Sequence, residues 1–460
     1  MPTSPRASLL HRTADLAIEY LESIGDRHVG ALAGADELRA QLDVPLSHAG
    51  EPEADVVAVL ADAARRGTVA TQGRRYFGFV VGGSVPAATA ADWLVSAWDQ
   101  NACVYVLSPM VAVVEDITAR WLKELVGLPA GWSTGFVTGC QMANFTALAA
   151  ARHHLLAAGG WDVEGKGLYG APVLQVVCSE ESHYTIFNAL KLLGLGAQRV
   201  TLVPADAEGR MRADQLARIL QQLPGPTIVC AQAGNVNTGA FDPLEAIAEL
   251  TTRHQAWLHV DGAFGLWAAV STNRAHLVQG IARADSVATD AHKWINVPYD
   301  SGVVFTAHPM SHRRAMTLSA AYIVESPRER DAHEFVPEES RRGRAVPIYA
   351  ALRTLGRDGL RALIDRCCTL ATRLANQLRA DERLEILNEV VLNQVLVRVR
   401  GDDPDRSTRV MAERLQQDGT CWASGTTWHG MAALRLSVSN YSTTERDIDL
   451  TAAAIRACVP

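Results

Sequence analysis

Between about residues 76 and 310, short runs of β-branched and aliphatic residues alternate with helix-patterned stretches: 173–178 (VLQVVC), 227–230 (TIVC), 257–260 (WLHV) and 302–305 (GVVF). Each run is apolar nearly throughout rather than at every second position. That pattern belongs to strands buried on both faces, and their alternation with helices predicts a large, mainly parallel sheet in an α/β domain. Upstream, residues 1–75 are more polar and helix-patterned, with a proline-rich break around 45–52. Downstream, 325–344 is dense in Arg and Glu, too charged for core, and predicts a mobile loop. Helices over 350–378 and 406–417, with strands over 395–399 and 434–438, predict a smaller carboxyl-terminal α/β domain. The expected division is therefore 1–75, 76–310, 311–344 and 345–460. No internal repeat is visible.

Composition narrows the class. Hydrophobic residues make up 48% and charged residues 20% of the 460, which excludes disorder and predicts a sizeable core. A formal net charge of −7 argues against a nucleic-acid partner. The most apolar stretch, 78–98, is broken by Gly82, Gly83, Pro86 and Asp92. A spanning helix needs about 20 uninterrupted apolar residues, so no membrane association is expected, and the amino terminus lacks the apolar core of a secretory signal. The eight cysteines form no CxxC pair, and several lie in apolar runs, which suits a reducing cytoplasm.

The chemistry concentrates in a few places. GxxxxGK[ST], HExxH and GxSxG are all absent, which removes the phosphate-loop, zincin and serine-hydrolase readings. Lys293, in Asp290-Ala-His-Lys-Trp294, follows a strand-like run and has small and aromatic neighbours. Such surroundings lower a lysine's pKa and free it as a Schiff-base nucleophile, whereas a lone lysine after a strand is otherwise a solvated surface residue. Asp261 ends the 257–260 run, where it could pair with the ring nitrogen of a pyridoxal cofactor or simply cap the next helix. Gly139 to Asn144 leads into a helix whose free amides suit an anion. His183 follows the 173–178 run and offers a flat ring for stacking. Tyr322 offers a proton donor beside the charged stretch, or lies in solvent.

The order Gly139, His183, Asp261, His292-Lys293 and Tyr322, with His259-Val-Asp-Gly-Ala-Phe-Gly265 as its strongest element, resembles the group II pyridoxal-phosphate-dependent amino acid decarboxylases, typified by aromatic L-amino acid decarboxylase. The resemblance extends from about Tyr76 to Asn440. It implies a pyridoxal-phosphate-dependent transferase fold of the type I aminotransferase class, and a homodimer whose subunits share active sites, with the 1–75 segment on the partner. It implies that Lys293 forms the internal aldimine with pyridoxal 5′-phosphate and that Asp261 pairs with the pyridinium nitrogen. Ala263 and His183 would flank the ring, while His292, Gly139, Cys140 and Gln141 would hold the phosphate. Asn235 falls where the family keeps a polar cofactor contact, and Tyr322 where it keeps the tyrosine that protonates the quinonoid. The implied reaction is decarboxylation of an L-amino acid to its amine. Aldehyde synthesis, transamination and Cα–Cβ cleavage are the alternatives on the same site. Segments 76–83 and 98–109, which line the family's substrate pocket, hold no Lys or Arg, so an aromatic or other apolar substrate is expected. The family's small-hydroxyl pattern after the phosphate glycine is replaced here by Cys140-Gln141-Met142.

Overall fold

The structure, a computed structural model, describes residues 4–46, 48–317 and 328–460. Two compact units share the chain. One comprises Met1–Val81, Arg373–Ile386 and Val397–Pro460, the other Gly82–Thr372 and Leu387–Leu396.

The larger unit is built on a seven-stranded sheet of β1 (Ser133–Val137), β2 (Gln175–Ser179), β3 (Thr201–Val203), β4 (Thr227–Gln232), β5 (Trp257–Asp261), β6 (Ser286–Asp290) and β7 (Gly302–Thr306), in the order β1-β7-β6-β5-β4-β2-β3. The continuously apolar runs became the central strands, and every residue of β4 to β7 is buried. Pairing is parallel except at β7, which runs antiparallel to both β1 and β6. Two reversals leave β1 pointing the same way as β6, so the carboxyl ends of β1, β5 and β6 open on one edge. Open α/β sheets bind their ligands at such an edge.

The helix Cys140–Ala158 covers one face of this sheet. Its Ala143, Ala147, Ala149, Ala150 and Ala151 are small enough to bring its backbone close to the strands. Leu148, Val176, Ile228 and Trp257 fill what remains, each large side chain contributing about 1.5–3 kcal/mol by burial. The loop entering that helix is held by a close approach. A Cβ on Gly302 would lie 2.4 Å from the Gly139 carbonyl carbon, so glycine is required at the start of β7.

The expectation that 325–344 is too charged for core is corrected by its described part. Asp331, His333, Glu334 and Arg341 are buried. Arg341 pairs with buried Glu115 at 2.6 Å and donates to the carbonyls of Ala102 and Phe136. Asp331 accepts from the Tyr105 amide at 2.7 Å. Charge density marks a solvated face only when partners are lacking; here they lie more than 200 residues away in sequence.

In the other unit, helices Pro5–Ser23, Ala35–Leu42 and Glu53–Gly67 precede a segment that joins short strands. β8 (Leu384–Ile386) pairs antiparallel with residues 397–399 of β9 (Gln394–Val399), and β10 (Ser424–Trp428) with β11 (Met431–Ser437). The last helix, Glu445–Cys458, opens with a capping box of Thr444 and Asp447, which satisfies amides that would otherwise lack partners. Among the described residues, no helix is long and apolar enough to cross a membrane.

Candidate active site

Strand alternation puts Trp257, His259 and Asp261 on one face of β5. Pairing of His259 with Ser286 and of Asp261 with Ala288 brings Ser286, Ala288 and Asp290 of β6 alongside them. The short helix Ala291–Trp294 follows directly and carries His292 and Lys293. The Lys293 carbonyl is wedged against Gly82, where a Cβ would come within 1.6 Å of it.

Lys293 Nζ lies 3.0 Å from Asp290 Oδ2 and 6.0 Å from the centre of the Phe264 ring. Burial is the largest single influence and lowers its pKa, as the sequence suggests, but Asp290, joined by Cys140 and Asp261, turns the net shift upward. The expected lowered pKa is thus corrected: with Asp290 beside it, this lysine holds its proton. Asp290 Oδ1 also accepts from the Cys140 amide at 2.6 Å and lies 3.3 Å from His292 Nε2. His292 Nδ1 accepts from the Ser301 amide at 3.1 Å, which leaves the proton of the neutral ring on Nε2. Burial keeps that ring neutral, pushing its pKa down despite Asp290. The Tyr299 ring stacks on His292 at 4.2 Å between centroids.

Asp261 is buried at the end of β5. Its Oδ1 accepts from the Ala263 amide at 3.1 Å and from the Cys140 thiol at 3.4 Å, and its Oδ2 accepts from Asn144 Nδ2 at 3.1 Å. A carboxylate offers about four acceptor positions, so room remains for one more donor. Cys140 therefore acts differently from a phosphate-lining side chain: its amide faces Asp290 while its thiol turns to Asp261. Burial drives the thiol pKa well up, so it stays protonated and can donate.

The remaining predicted residues surround this centre. His183 occupies the N-cap position of the helix Tyr184–Leu192 after β2, and its Nδ1 lies 2.7 Å from Thr185 Oγ1. Buried Asn235 donates to the Glu181 carbonyl at 3.4 Å, two residues before His183. Its Oδ1 accepts from the amides of Asn237 and Thr238. Gln141 is half-buried in the first turn of the helix that starts at Cys140. Tyr322 lies outside the described residues. Asn144, His259, Asp290 and Tyr299 were not singled out from the sequence. Polar His259 and Asp261 at alternate positions of an otherwise apolar strand were the available signal for His259.

These residues suit a phosphorylated aldehyde with a basic ring nitrogen. The N-cap position of the 19-residue helix Cys140–Ala158 is Gly139, which brings no side chain of its own, and Asp290 takes only the Cys140 amide, so the following amides of the first turn suit an anion. A Cβ on Gly139 would fill the space in front of His292 and Asp290, at 3.4 and 3.5 Å. The His292 Nε2–H and the Lys293 ammonium add cationic and donor character beside that space, and the free acceptor position of Asp261 fits a protonated ring nitrogen.

Comparison with known proteins agrees with this geometry. A family model described as "Pyridoxal-dependent decarboxylase conserved domain" matches residues 36–400. An acidic amino acid decarboxylase of Bos taurus is 30% identical over 77% of this chain and 68% of its own length. An aromatic-L-amino-acid decarboxylase of Bacillus atrophaeus is 26% identical over 95% of this chain and 92% of its own. The crystal structure of mouse CSAD in apo form superposes with a TM-score of 0.91 at 25% identity, covering 98% of each chain. The chain belongs to the pyridoxal-dependent decarboxylase family: it is an amino acid carboxy-lyase that works with pyridoxal phosphate.

Proposed function

We propose that the protein decarboxylates an L-amino acid with an aromatic or other apolar side chain, releasing carbon dioxide and leaving a proton in its place on Cα. The observation that carries the site assignment is the placement of Lys293, just after β6, and Asp261, at the end of the adjacent β5, beside the amino end of the helix Cys140–Ala158. Pyridoxal phosphate, when bound, supplies the electron sink for loss of the carboxylate. In this reading Lys293 holds the cofactor's aldehyde carbon and Asp261 holds the proton on its ring nitrogen. Ala263 and His183 flank the ring. Gly139, Cys140 and Gln141 line the phosphate, Gly139 and Gln141 offering their amides while that of Cys140 stays with Asp290, and His292 offers its Nε2–H. Asn235 supports the loop that carries His183.

The substrate reading rests on segments 76–83 and 98–109, which hold no cation to pair with an acidic side chain. Burying a carboxylate without a partner costs several kcal/mol. A second reading, an acidic substrate, is favoured by the bovine relative. A screen of the common amino acids and cysteine sulfinate, reading carbon dioxide and amine, separates them. The expected kcat/KM for the best aromatic substrate exceeds that for glutamate by about 100-fold or more, the equivalent of about 2.7 kcal/mol. Preference for glutamate, aspartate or cysteine sulfinate would establish the second reading.

Tyr322 is assigned to deliver the proton to Cα. Tyr322→Phe is then expected to retain the cofactor but to slow protonation, so that dioxygen competes for the electron pair. Amine yield falls, and under air aldehyde, ammonia and hydrogen peroxide rise together. Unchanged amine with no aldehyde removes Tyr322 from the mechanism.

The same reading makes the protein a cytoplasmic homodimer. In support, all eight cysteines are buried and none is joined in a disulfide. Trp93, Leu94, Val106, Leu107 and Met110 present a large exposed apolar surface on neighbouring segments, of the kind subunit interfaces cover.

A further inference from the structure

We propose that Asn144 and His259 are positioning residues that hold the Asp261 carboxylate in place, at the end of a hydrogen-bonded chain that starts at Trp257; this rests on the reading of Asp261 as the partner of the cofactor's ring nitrogen. The chain is made of contacts between 2.9 and 3.1 Å, and the chemistry of each group fixes where every proton lies. Asp261 Oδ2 receives a hydrogen bond from Asn144 at 3.1 Å. A carboxylate has no proton to give, so the Asn144 amide nitrogen must face it. The Asn144 oxygen then faces His259 Nε2 at 2.9 Å, and an amide oxygen only accepts. His259 therefore carries its proton on Nε2.

Burial holds the His259 pKa down to about 4, so the ring is neutral and its Nδ1 is an acceptor. The group facing Nδ1 is the Ser286 hydroxyl, at 2.9 Å, which must donate. Ser286 Oγ in turn accepts from the Trp257 indole N–H at 2.9 Å, and an indole can only donate. The order Trp257, Ser286, His259, Asn144, Asp261 thus runs in one direction, each group donating to the next. Successive donors polarise one another, and the positive ends of their dipoles point at the carboxylate.

All five residues are buried. Buried polar groups cost desolvation free energy unless each is satisfied, and an aliphatic residue could fill the place of His259 in a strand that is otherwise apolar. The positions follow from topology. Alternation along β5 aligns Trp257, His259 and Asp261, register places Ser286 opposite His259, and the covering helix brings Asn144 between His259 and Asp261. Cys140, one turn before Asn144 on that helix, secures the other carboxylate oxygen. Asp261 is left with little freedom to rotate.

The test compares Asn144→Leu, His259→Leu and His259→Gln with Asp261→Asn and the unaltered protein. Three quantities are measured: the affinity of the cofactor-free protein for pyridoxal phosphate, by quenching of tryptophan fluorescence; the pH titration of the bound cofactor's visible absorbance; and the Tm of the cofactor-free protein. Both leucine variants are expected to bind pyridoxal phosphate roughly 10- to 100-fold more weakly, the scale of a lost hydrogen bond to a buried charge. Their absorbance titration should move in the direction set by Asp261→Asn, but by less. His259→Gln, whose side-chain amide can still donate toward Asn144, should recover most of both losses. A fall in Tm with affinity and titration unchanged would mean that these side chains only fill space, and the proposal would be wrong. Should a leucine variant not fold, Ser286→Ala breaks the same chain one step further out. A titration identical to that of the unaltered protein would then overturn the proposal. If Asp261→Asn itself moves neither affinity nor titration, the reading of Asp261 fails; if it moves both and its neighbours move neither, only the positioning role fails.

Discussion

Lys293→Ala is expected to lower kcat by roughly 10⁴-fold or more, the scale on which enzymes lose rate with their covalent group. The chain has only four lysines, Lys123, Lys166, Lys191 and Lys293. Lys166 and Lys191 are exposed, and Lys123 donates to the carbonyls of Ala130 and Trp132. Of the four, Lys293 is the one bonded to Asp290, which also holds the first amide of the helix Cys140–Ala158. Borohydride reduction of the loaded protein should therefore fix the cofactor to a single peptide containing Lys293, and should fix none to Lys293→Ala. The loss must exceed what destabilisation explains, since Lys293→Ala also leaves Asp290 without its partner at 3.0 Å. Asp290 keeps the Cys140 amide and His292, so the cofactor-free variant should fold. Its Tm reports that directly. Labelling of Lys123, Lys166 or Lys191, or a variant with near-normal turnover, would place the covalent bond elsewhere.

The Lys293 pKa, raised on balance where its sequence neighbours predict a fall, shows where sequence reasoning stops. Continuous apolar runs announced β4, β5 and β7 because burial on both faces leaves its mark in every residue, and Asp261 was visible as the polar residue that ends such a run. The protonation of Lys293 was misread because apolar neighbours in sequence were weighed and Asp290, three residues earlier, was not. Spacing of i,i+3 is the one a helical turn converts into contact, so that signal was present. Asn144 and His259 were harder to find. They sit 117 and 2 residues from Asp261, and the bond that joins them to each other spans 115 residues. Only the docking of the helix Cys140–Ala158 on the β5 face makes them neighbours. The charged stretch failed for the same reason, since Arg341 reads as solvated until Glu115 is brought to 2.6 Å.

Asp261→Asn keeps the shape of the side chain and removes its charge. The expected loss is about 10² or more in kcat, the effect of deleting a preorganised group that stabilises developing charge. Two changes act together. A neutral amide cannot hold the proton on the ring nitrogen, so the electron sink weakens. The amide nitrogen is also a donor, and on the Oδ2 side it meets Asn144, which already donates there. One of the two amides must turn, which breaks the order set by His259. The Ala263 amide and the Cys140 thiol can still be satisfied by the remaining oxygen, so the turn after β5 should survive and the protein should fold. KM is expected to change less than kcat, because Asp261 serves the ring rather than the substrate side chain. The decisive comparison is kcat at saturating pyridoxal phosphate, with Tm measured in parallel. A variant with normal kcat would show that Asp261 does no more than close the turn through Ala263, and a different carboxylate would then have to serve the ring nitrogen. Asp290 is the nearest candidate on the adjacent strand, although its oxygens already serve Lys293, Cys140 and His292.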